Sequence, residues 1–338
     1  MESTRPSKRR GVRVALVEPT SLLGRDVKAA LEEKAFPISR LELFHAQGTS
    51  GTLTRDDEEA LYVAPLAADS LDDCHVAFFC GKPEQTEHFL KSRTGDCLVI
   101  DLSGLRTGGP FVIPFEDSET TFLPGGNVYL TIDPAAYVIA ETIRTLDRLK
   151  LVQAATVAVD RPVSELGREA LDELFAQSIA LAGFKPVPQE VLGGRAAFNF
   201  SYPADTDAYQ QRIIEDVGRG LGRSLPLTLL SARTGVFHGH HIRIDARFAE
   251  TAPSVEAIRE ALFATRAFAE VDPENLSGPV ESAGRDETLV LRVASHGNSV
   301  ALGMASDVFR HPGALMAVRL AEDALRARSL FPADSDSG

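Results

Sequence analysis

The stretch Val12-Arg13-Val14-Ala15-Leu16-Val17, followed by Glu18-Pro19-Thr20-Ser21-Leu22-Leu23-Gly24, decides how the fold is read. The first six residues form a short valine-rich run of the kind that makes a buried strand. The segment Leu22–Lys34 beyond the turn carries Leu22, Leu23, Val27, Ala30 and Leu31 at helical spacing. Together they predict a strand, a turn and the start of a helix. Further apolar strand candidates follow at Leu41–Phe44, Val76–Phe79 and Cys97–Asp101, with helical segments such as Pro83–Ser92 between them. Strands that alternate with helices predict a parallel, doubly wound sheet.

From about Leu151 the pattern changes. Longer strands are expected at Leu151–Val159, Leu225–Leu230 and His241–Phe248, with helices at Ser164–Leu181 and Asp207–Gly220. This reads as α+β with antiparallel pairing. A last helix, Gly313–Arg328, places Leu315, Met316, Val318, Leu320, Ala321 and Leu325 on one broad apolar stripe that must pack on something. The fold class expected is α/β, with a Rossmann-like, doubly wound nucleotide-binding domain joined to an α+β domain. The boundaries expected are 11–133 for the first, 134–312 for the second and 313–330 for the closing helix.

The composition bounds the function. The chain has 338 residues, 44% of them hydrophobic, enough for about two domains at roughly 100–200 residues each. Its formal net charge of −13 repels nucleic acid and anionic lipid, so neither is expected as a partner. Cys74, Cys80 and Cys97 are an odd set without metal-site spacing, each in or beside an apolar run. No window approaches the roughly 18 consecutive apolar residues of a membrane span. A soluble cytoplasmic protein is expected, with disordered ends at Met1–Arg10 and Pro332–Gly338.

The turn after the first strand departs from what a dinucleotide needs. A Rossmann turn lets the backbone approach the pyrophosphate through three glycines and donates N–H groups from a helix start. Only Gly24 of the three is present, Glu18 places a carboxylate near the phosphates, and Pro19 removes a donor. Thr20 and Ser21 retain hydroxyls that could bind. His238, His240 and His241 suggest a metal at first sight, but no third or fourth ligand stands at sensible spacing, so no metal is expected.

Several segments in order resemble the aspartate-semialdehyde dehydrogenase family. They are the opening strand with Lys34–Phe44 (KAFPISRLELF), Cys97–Leu105 (CLVIDLSGL), Val163–Gln177 (VSELGREALDELFAQ), Ala197-Phe198-Asn199, Val236–His240 (VFHGH) and Gly313–Glu322 (GALMAVRLAE). The ordered set spans roughly Val12 to Arg328 and is similar to the branch of Usg-like proteins that lacks the catalytic cysteine. The resemblance implies a Rossmann domain for NADP, a dimerisation domain of the semialdehyde dehydrogenase C-terminal type, a homodimer, and a reaction in which a thiolate attacks an aldehyde and hydride passes to NADP.

Carried over one at a time, the family's positions are largely altered. The cysteine that opens a helix in an N-P-N-C segment falls at Pro134 within Thr131–Ala136; a shift of one residue would put Asp133 there. The structural alternative makes Asp133 a helix N-cap and Pro134 the first helical residue. The substrate-placing glutamine falls at Arg161. A glutamate and a lysine fall near Gln210 and Arg212, and the asparagine near the nicotinamide falls at Val308. Two positions match: Arg233, for the substrate-carboxylate arginine, and His240, for the acid/base histidine. On a single strand Ser231–His240 they would need a bend at Gly235 or Gly239 to converge. Arg106 stands close to the family's phosphate-binding arginine.

Three functions follow as expectations. The first is a family member without dehydrogenase activity that binds, if anything, an anionic small molecule. The second is an enzyme that uses His240 and Arg233 without a thiol. The third is an active NADP-dependent semialdehyde dehydrogenase with a displaced nucleophile. NADP binding is expected to be weak or absent.

Overall fold

The computed structural model describes residues 11–46, 52–56, 59–115, 126–272 and 277–330, with only the backbone for 52–61. The ends expected to be disordered, Met1–Arg10 and Pro332–Gly338, lie outside the described residues. The described residues fall into two units. One lies within Met1–Pro114, Thr120–Thr131 and Met316–Gly338, the other within Phe115–Glu119 and Ile132–Leu315.

The first unit runs β1 (Val12–Val17), α1 (Leu22–Glu33), β2 (Ile38–His45), β3 (Thr52–Asp56), β4 (Glu59–Pro65), β5 (Val76–Phe79), α2 (Pro83–Ser92), β6 (Leu98–Asp101) and β7 (Val128–Leu130). Its seven strands lie in the order β3-β4-β2-β1-β5-β6-β7, parallel throughout except between β3 and β4. The central strands are buried on both faces: Val14, Ala15, Leu16, Val76, Ala77, Leu98 and Val99 have no exposure. That is why they read as continuous apolar runs without alternation. The order reverses at β1, which lies between β2 and β5, so its tip marks the crevice where open α/β sheets bind ligands.

The second unit runs α3 (Pro134–Leu149), β8 (Val152–Arg161), a 3₁₀ turn (Val163–Leu166), α4 (Arg168–Ala182), β9 (Phe200–Ser201), α5 (Thr206–Leu221), β10 (Leu227–Thr234) and β11 (His240–Phe248). It continues with α6 (Val255–Phe263), β12 (Phe268–Glu270), β13 (Thr288–His296), β14 (Ser299–Ser306) and a π-helix at Arg310–Leu315. The sheet order is β12-β13-β14-β11-β8-β10-β9. Most neighbours are antiparallel, as the sequence predicts, but β12 and β13 are parallel, and so are β8 and β10. The chain between those two passes through α4 and α5, and a long helical crossover is the connection that a parallel pair requires.

Burial along β8 and β11 alternates, with Val157, Val159, Ile242 and Ile244 turned to a face covered by α3. Helix α3 is buried around most of its circumference, and α5 crosses it so closely that a Cβ at Gly220 would lie 2.7 Å from Ala140 Cβ. The helix predicted at Ser164–Leu181 is two elements, broken at Gly167, whose φ of +90° ends the 3₁₀ turn. The long strand predicted up to His240 ends at Thr234, and Gly239, also at φ +90°, leads into β11 as a separate strand. The chain returns to the first unit as α7 (Met316–Ala327), which packs on α1 and β6.

Candidate active site

The register of the second sheet brings three predicted residues to one end. In the parallel pair Arg233 on β10 is the partner of Arg161, the last residue of β8. Strand β11 runs antiparallel to β8 with His241 opposite Asp160, so His240 begins its strand where β8 ends. Strand ends supply Arg161, Arg233 and His240. The 3₁₀ turn adds Glu165, the start of α5 adds Asp205, Tyr209 and Arg212, and the start of α3 adds Asp133.

Glu165 is the hub. Its Oε1 lies 2.7 Å from His240 Nε2 and its Oε2 accepts from Arg161 Nε at 2.7 Å. Burial alone would raise this carboxyl, but the His240 hydrogen bond and the Arg161 guanidinium together hold it down at about 2. Ionised Glu165 fixes His240 at Nε2. The carboxylate thus sets the orientation of the imidazole, and Nδ1 faces the interior without a bond among the described residues.

Arg161 and Arg233 are register partners at the ends of neighbouring strands. The Arg161 guanidinium lies 3.7 Å over the Tyr209 ring, and its Nη1 is 3.8 Å from Asp205 Oδ2. Arg233 Nη2 is 4.0 Å from the same oxygen, too far for a hydrogen bond. Buried Arg233 Nε and Nη2 have no hydrogen-bond partner among the described residues. Those two atoms are one edge of the guanidinium fork, the edge that takes a carboxylate in two parallel bonds. Burial, and after it the Arg161 charge, pull the Arg233 guanidinium below its ordinary value. A bound anion would relieve both effects.

Asp133 and Pro134 stand as the structural alternative describes. Pro134 opens α3, and Asp133 caps it by accepting from Ala135 N at 2.9 Å. The Asp133 carboxylate also accepts from Arg212 Nη2 at 3.1 Å. Burial raises its pKa, against the pull of Arg212. Gln210 turns to the sheet, where its Oε1 accepts from Ser231 N at 2.9 Å, and Val308 is a buried apolar residue. Arg106 belongs to the first unit, with its guanidinium 5.0 Å over the Phe111 ring.

The three histidines pair with three different carboxylates: His240 with Glu165, His241 with Asp160 and His238 with Asp307. His238 also bonds Ser164 Oγ at 2.9 Å, while Asp307 accepts from the backbone N–H groups of Gly284, Phe309 and Arg310. Ser164 has no exposure, so this trio ties loops together and presents no nucleophile. Sequence reasoning missed Glu165, Asp205 and Tyr209. No helical spacing announced them: Arg161 ends strand β8 and Glu165 lies in the 3₁₀ turn after Pro162, so their ion pair depends on the corner between the two elements.

All three cysteines belong to the first unit, free and buried. Burial pushes the Cys74 thiol up to about 11, Cys97 up to about 12 and Cys80 well above its ordinary value. Each is a neutral core thiol at neutral pH.

The first unit's ligand crevice does not fit a dinucleotide. Ser21 Oγ caps α1 by accepting from Gly24 N at 2.9 Å, which uses an N–H that a phosphate would take. Glu18 holds φ +62°, and its carboxylate accepts from Ala46 N at 2.8 Å. Thr20 is half-buried beside them. Ser21 and Gly24 meet the Glu18 carbonyl, while the Glu18 side chain occupies the space toward His45, Ala46 and Gly81.

No protein-family model matches the chain. It is 26% identical to the aspartate-semialdehyde dehydrogenase of Rickettsia conorii over 92% of this chain and 96% of that one. It is 29% identical to a USG-1 protein homolog of Pseudomonas aeruginosa over 91% of this chain and 96% of that one. A solved structure of a probable aspartate-semialdehyde dehydrogenase from Pseudomonas aeruginosa superposes with a TM-score of 0.83 at 26% identity, covering 94% of this chain and 99% of the other. Sequence relatives and fold agree over nearly the whole length, so the chain is similar throughout to aspartate-semialdehyde dehydrogenases and USG-1 homologs and shares their two-domain fold.

Proposed function

We propose that this chain does not run the thiol-dependent dehydrogenase reaction, and that its second unit binds a small carboxylate-bearing molecule. The observation that carries the proposal is the Arg233 fork, buried and without a hydrogen-bond partner among the described residues at Nε and Nη2. Leaving such donors unsatisfied costs about 1–3 kcal/mol each, so a carboxylate that met both would be held firmly. The absence of the thiol rests on the sequence: neither Asp133 nor Pro134 supplies one, and all three cysteines are buried in the first unit. A carboxylate adds poorly to an aldehyde and gives no adduct from which hydride could leave.

The test is a thermal-shift series with aspartate, succinate, acetate and inorganic phosphate. A ligand at about ten times its Kd adds about 1.4 kcal/mol, a rise of a few degrees. We expect that rise with the carboxylates and its loss in Arg233→Lys, which keeps the charge and removes the fork. No rise with any carboxylate would end the proposal.

A second reading is favoured by His240 Nδ1, which has no hydrogen-bond partner among the described residues. Held by Glu165 at Nε2, this imidazole could take a proton from, or return one to, a molecule bound at Arg233, which would make the chain an enzyme without a thiol. The exposed apolar residues Phe175 and Ile179 on α4 and Leu230 on β10, 60%, 54% and 60% exposed, support a homodimer. Light scattering at micromolar concentration tests this, and a monomer mass would refute it.

A further inference from the structure

We propose that Glu18 is a built-in plug that keeps dinucleotides out of the first unit, and that this one side chain, more than the other departures in the turn, carries the loss. The crevice lies where the strand order reverses at the tip of β1, between β2 and β5. Glu18 is the first residue beyond β1, and its side chain reaches to both flanks. On the β2 side its Oε1 accepts from Ala46 N at 2.8 Å, and its Oε2 stands 3.4 Å from His45 Nδ1. On the β5 side its Cγ would lie only 2.9 Å from a Cβ built on Gly81. One methylene chain and one carboxylate therefore fill the space that adenosine ribose and pyrophosphate need, and add a negative charge to it.

The backbone supports the same reading. Glu18 is held at φ +62°, a conformation that glycine adopts freely and a glutamate adopts at a cost. Its carbonyl still accepts from Ser21 N at 3.2 Å and lies 2.2 Å from a Cβ built on Gly24. The turn thus keeps the tight shape of a dinucleotide turn while its first position carries a side chain. The N–H of Ala46, at the end of β2, has its partner within the chain. The crevice is closed by a residue, and its shape is otherwise retained.

The experiment is a titration with NADPH and NADH at low salt, followed by ligand fluorescence, on the full chain. Wild type is expected to show no saturation up to millimolar dinucleotide. Glu18→Gly suits the left-handed backbone and empties the crevice, and should bind at least tenfold tighter than wild type. Glu18→Asn, which tolerates the same φ with a shorter, uncharged side chain, should gain in the same direction and serves if the glycine variant folds poorly. Ser21→Gly restores a glycine without removing the plug and should gain nothing. Micromolar binding by wild type would overturn the proposal, as would Glu18→Gly and Glu18→Asn variants that fold and bind no better than wild type. A gain from Ser21→Gly equal to that from Glu18→Gly would also overturn it.

Discussion

Replacing Glu165 by glutamine removes one charge from the hub of the cluster and almost no volume. The carboxyl stands at about 2 against an ordinary 4.5, because the bonds from His240 and Arg161 outweigh a burial that alone would raise it. At about 1.4 kcal/mol for each tenfold change, that drop corresponds to about 3 kcal/mol of native-state stability. The side chain is only 14% exposed, so solvent screening takes little from it. Glu165 also helps to hold Asp133 above its ordinary value, so its removal returns part of the loss, and we expect a net cost of about 2–3 kcal/mol at pH 7. Because the folded value lies below the unfolded one, the stabilisation is fully present above the unfolded value of 4.5 and is lost as pH falls through about 2. The chain has no Trp, so urea unfolding is followed by far-UV circular dichroism, wild type beside Glu165→Gln, at about pH 7, 5 and 3. The gap between the two proteins should stay nearly constant from 7 to 5 and shrink by more than half by about pH 3. A gap that does not change with pH, or no gap at neutral pH, would show that Glu165 is not the charged hub described here.

Gln177 on α4 holds the loop that leads to Ala197: its amide nitrogen donates to Pro188 O and Gly194 O, and its oxygen accepts from Ala196 N and Ala197 N. Gln177→Leu should cost roughly 2–4 kcal/mol by stranding these buried groups, measured by the same unfolding assay, and a loss below about 1 kcal/mol would count against that role. Asp133→Asn removes a carboxylate whose pKa burial raises; ionising it in the folded protein costs stability as pH rises above the unfolded 3.8 through the higher folded value. The variant should therefore gain on wild type as pH rises above about 4 in a pH series of melting temperatures, and a constant offset would refute the sign. His240→Gln should leave carboxylate binding within a few fold in the thermal-shift series, and a loss of more than about tenfold, about 1.4 kcal/mol, would show that His240 itself holds the ligand.

The first unit was largely legible because its strands are buried on both faces. Val12–Val17 and Val76–Phe79 appear in the structure with the boundaries that the apolar runs predict, as does the helix Pro83–Ser92. Glu18 was legible as an opposing charge, but its hydrogen bond to Ala46 joins residues 28 apart and no local pattern announces it. The second unit was harder. The β13–β14 hairpin turns at Gly297 (φ +57°) within strands whose outer residues are polar, and the alternation is diluted by Arg292, Ser295 and His296. The parallel pairing of β8 with β10 depends on a crossover of two helices, which periodicity does not show. Arg233 and His240 were legible as residues, while their convergence was not. It arises from Arg161 and Glu165, one through strand register and the other through a 3₁₀ turn.

We propose that this chain has the fold of the aspartate-semialdehyde dehydrogenases without their thiol chemistry. The most direct test follows NADPH formation from aspartate semialdehyde and phosphate, with wild type beside Pro134→Cys and Asp133→Cys and an active family member as control. Wild type is expected to give no turnover above the blank. Pro134→Cys is expected to give none either, because a helix start adds only about 0.3–1 kcal/mol to a thiolate while Glu18 still bonds across the crevice and Arg161 is bound to Glu165. Turnover by the wild-type protein would contradict the account outright.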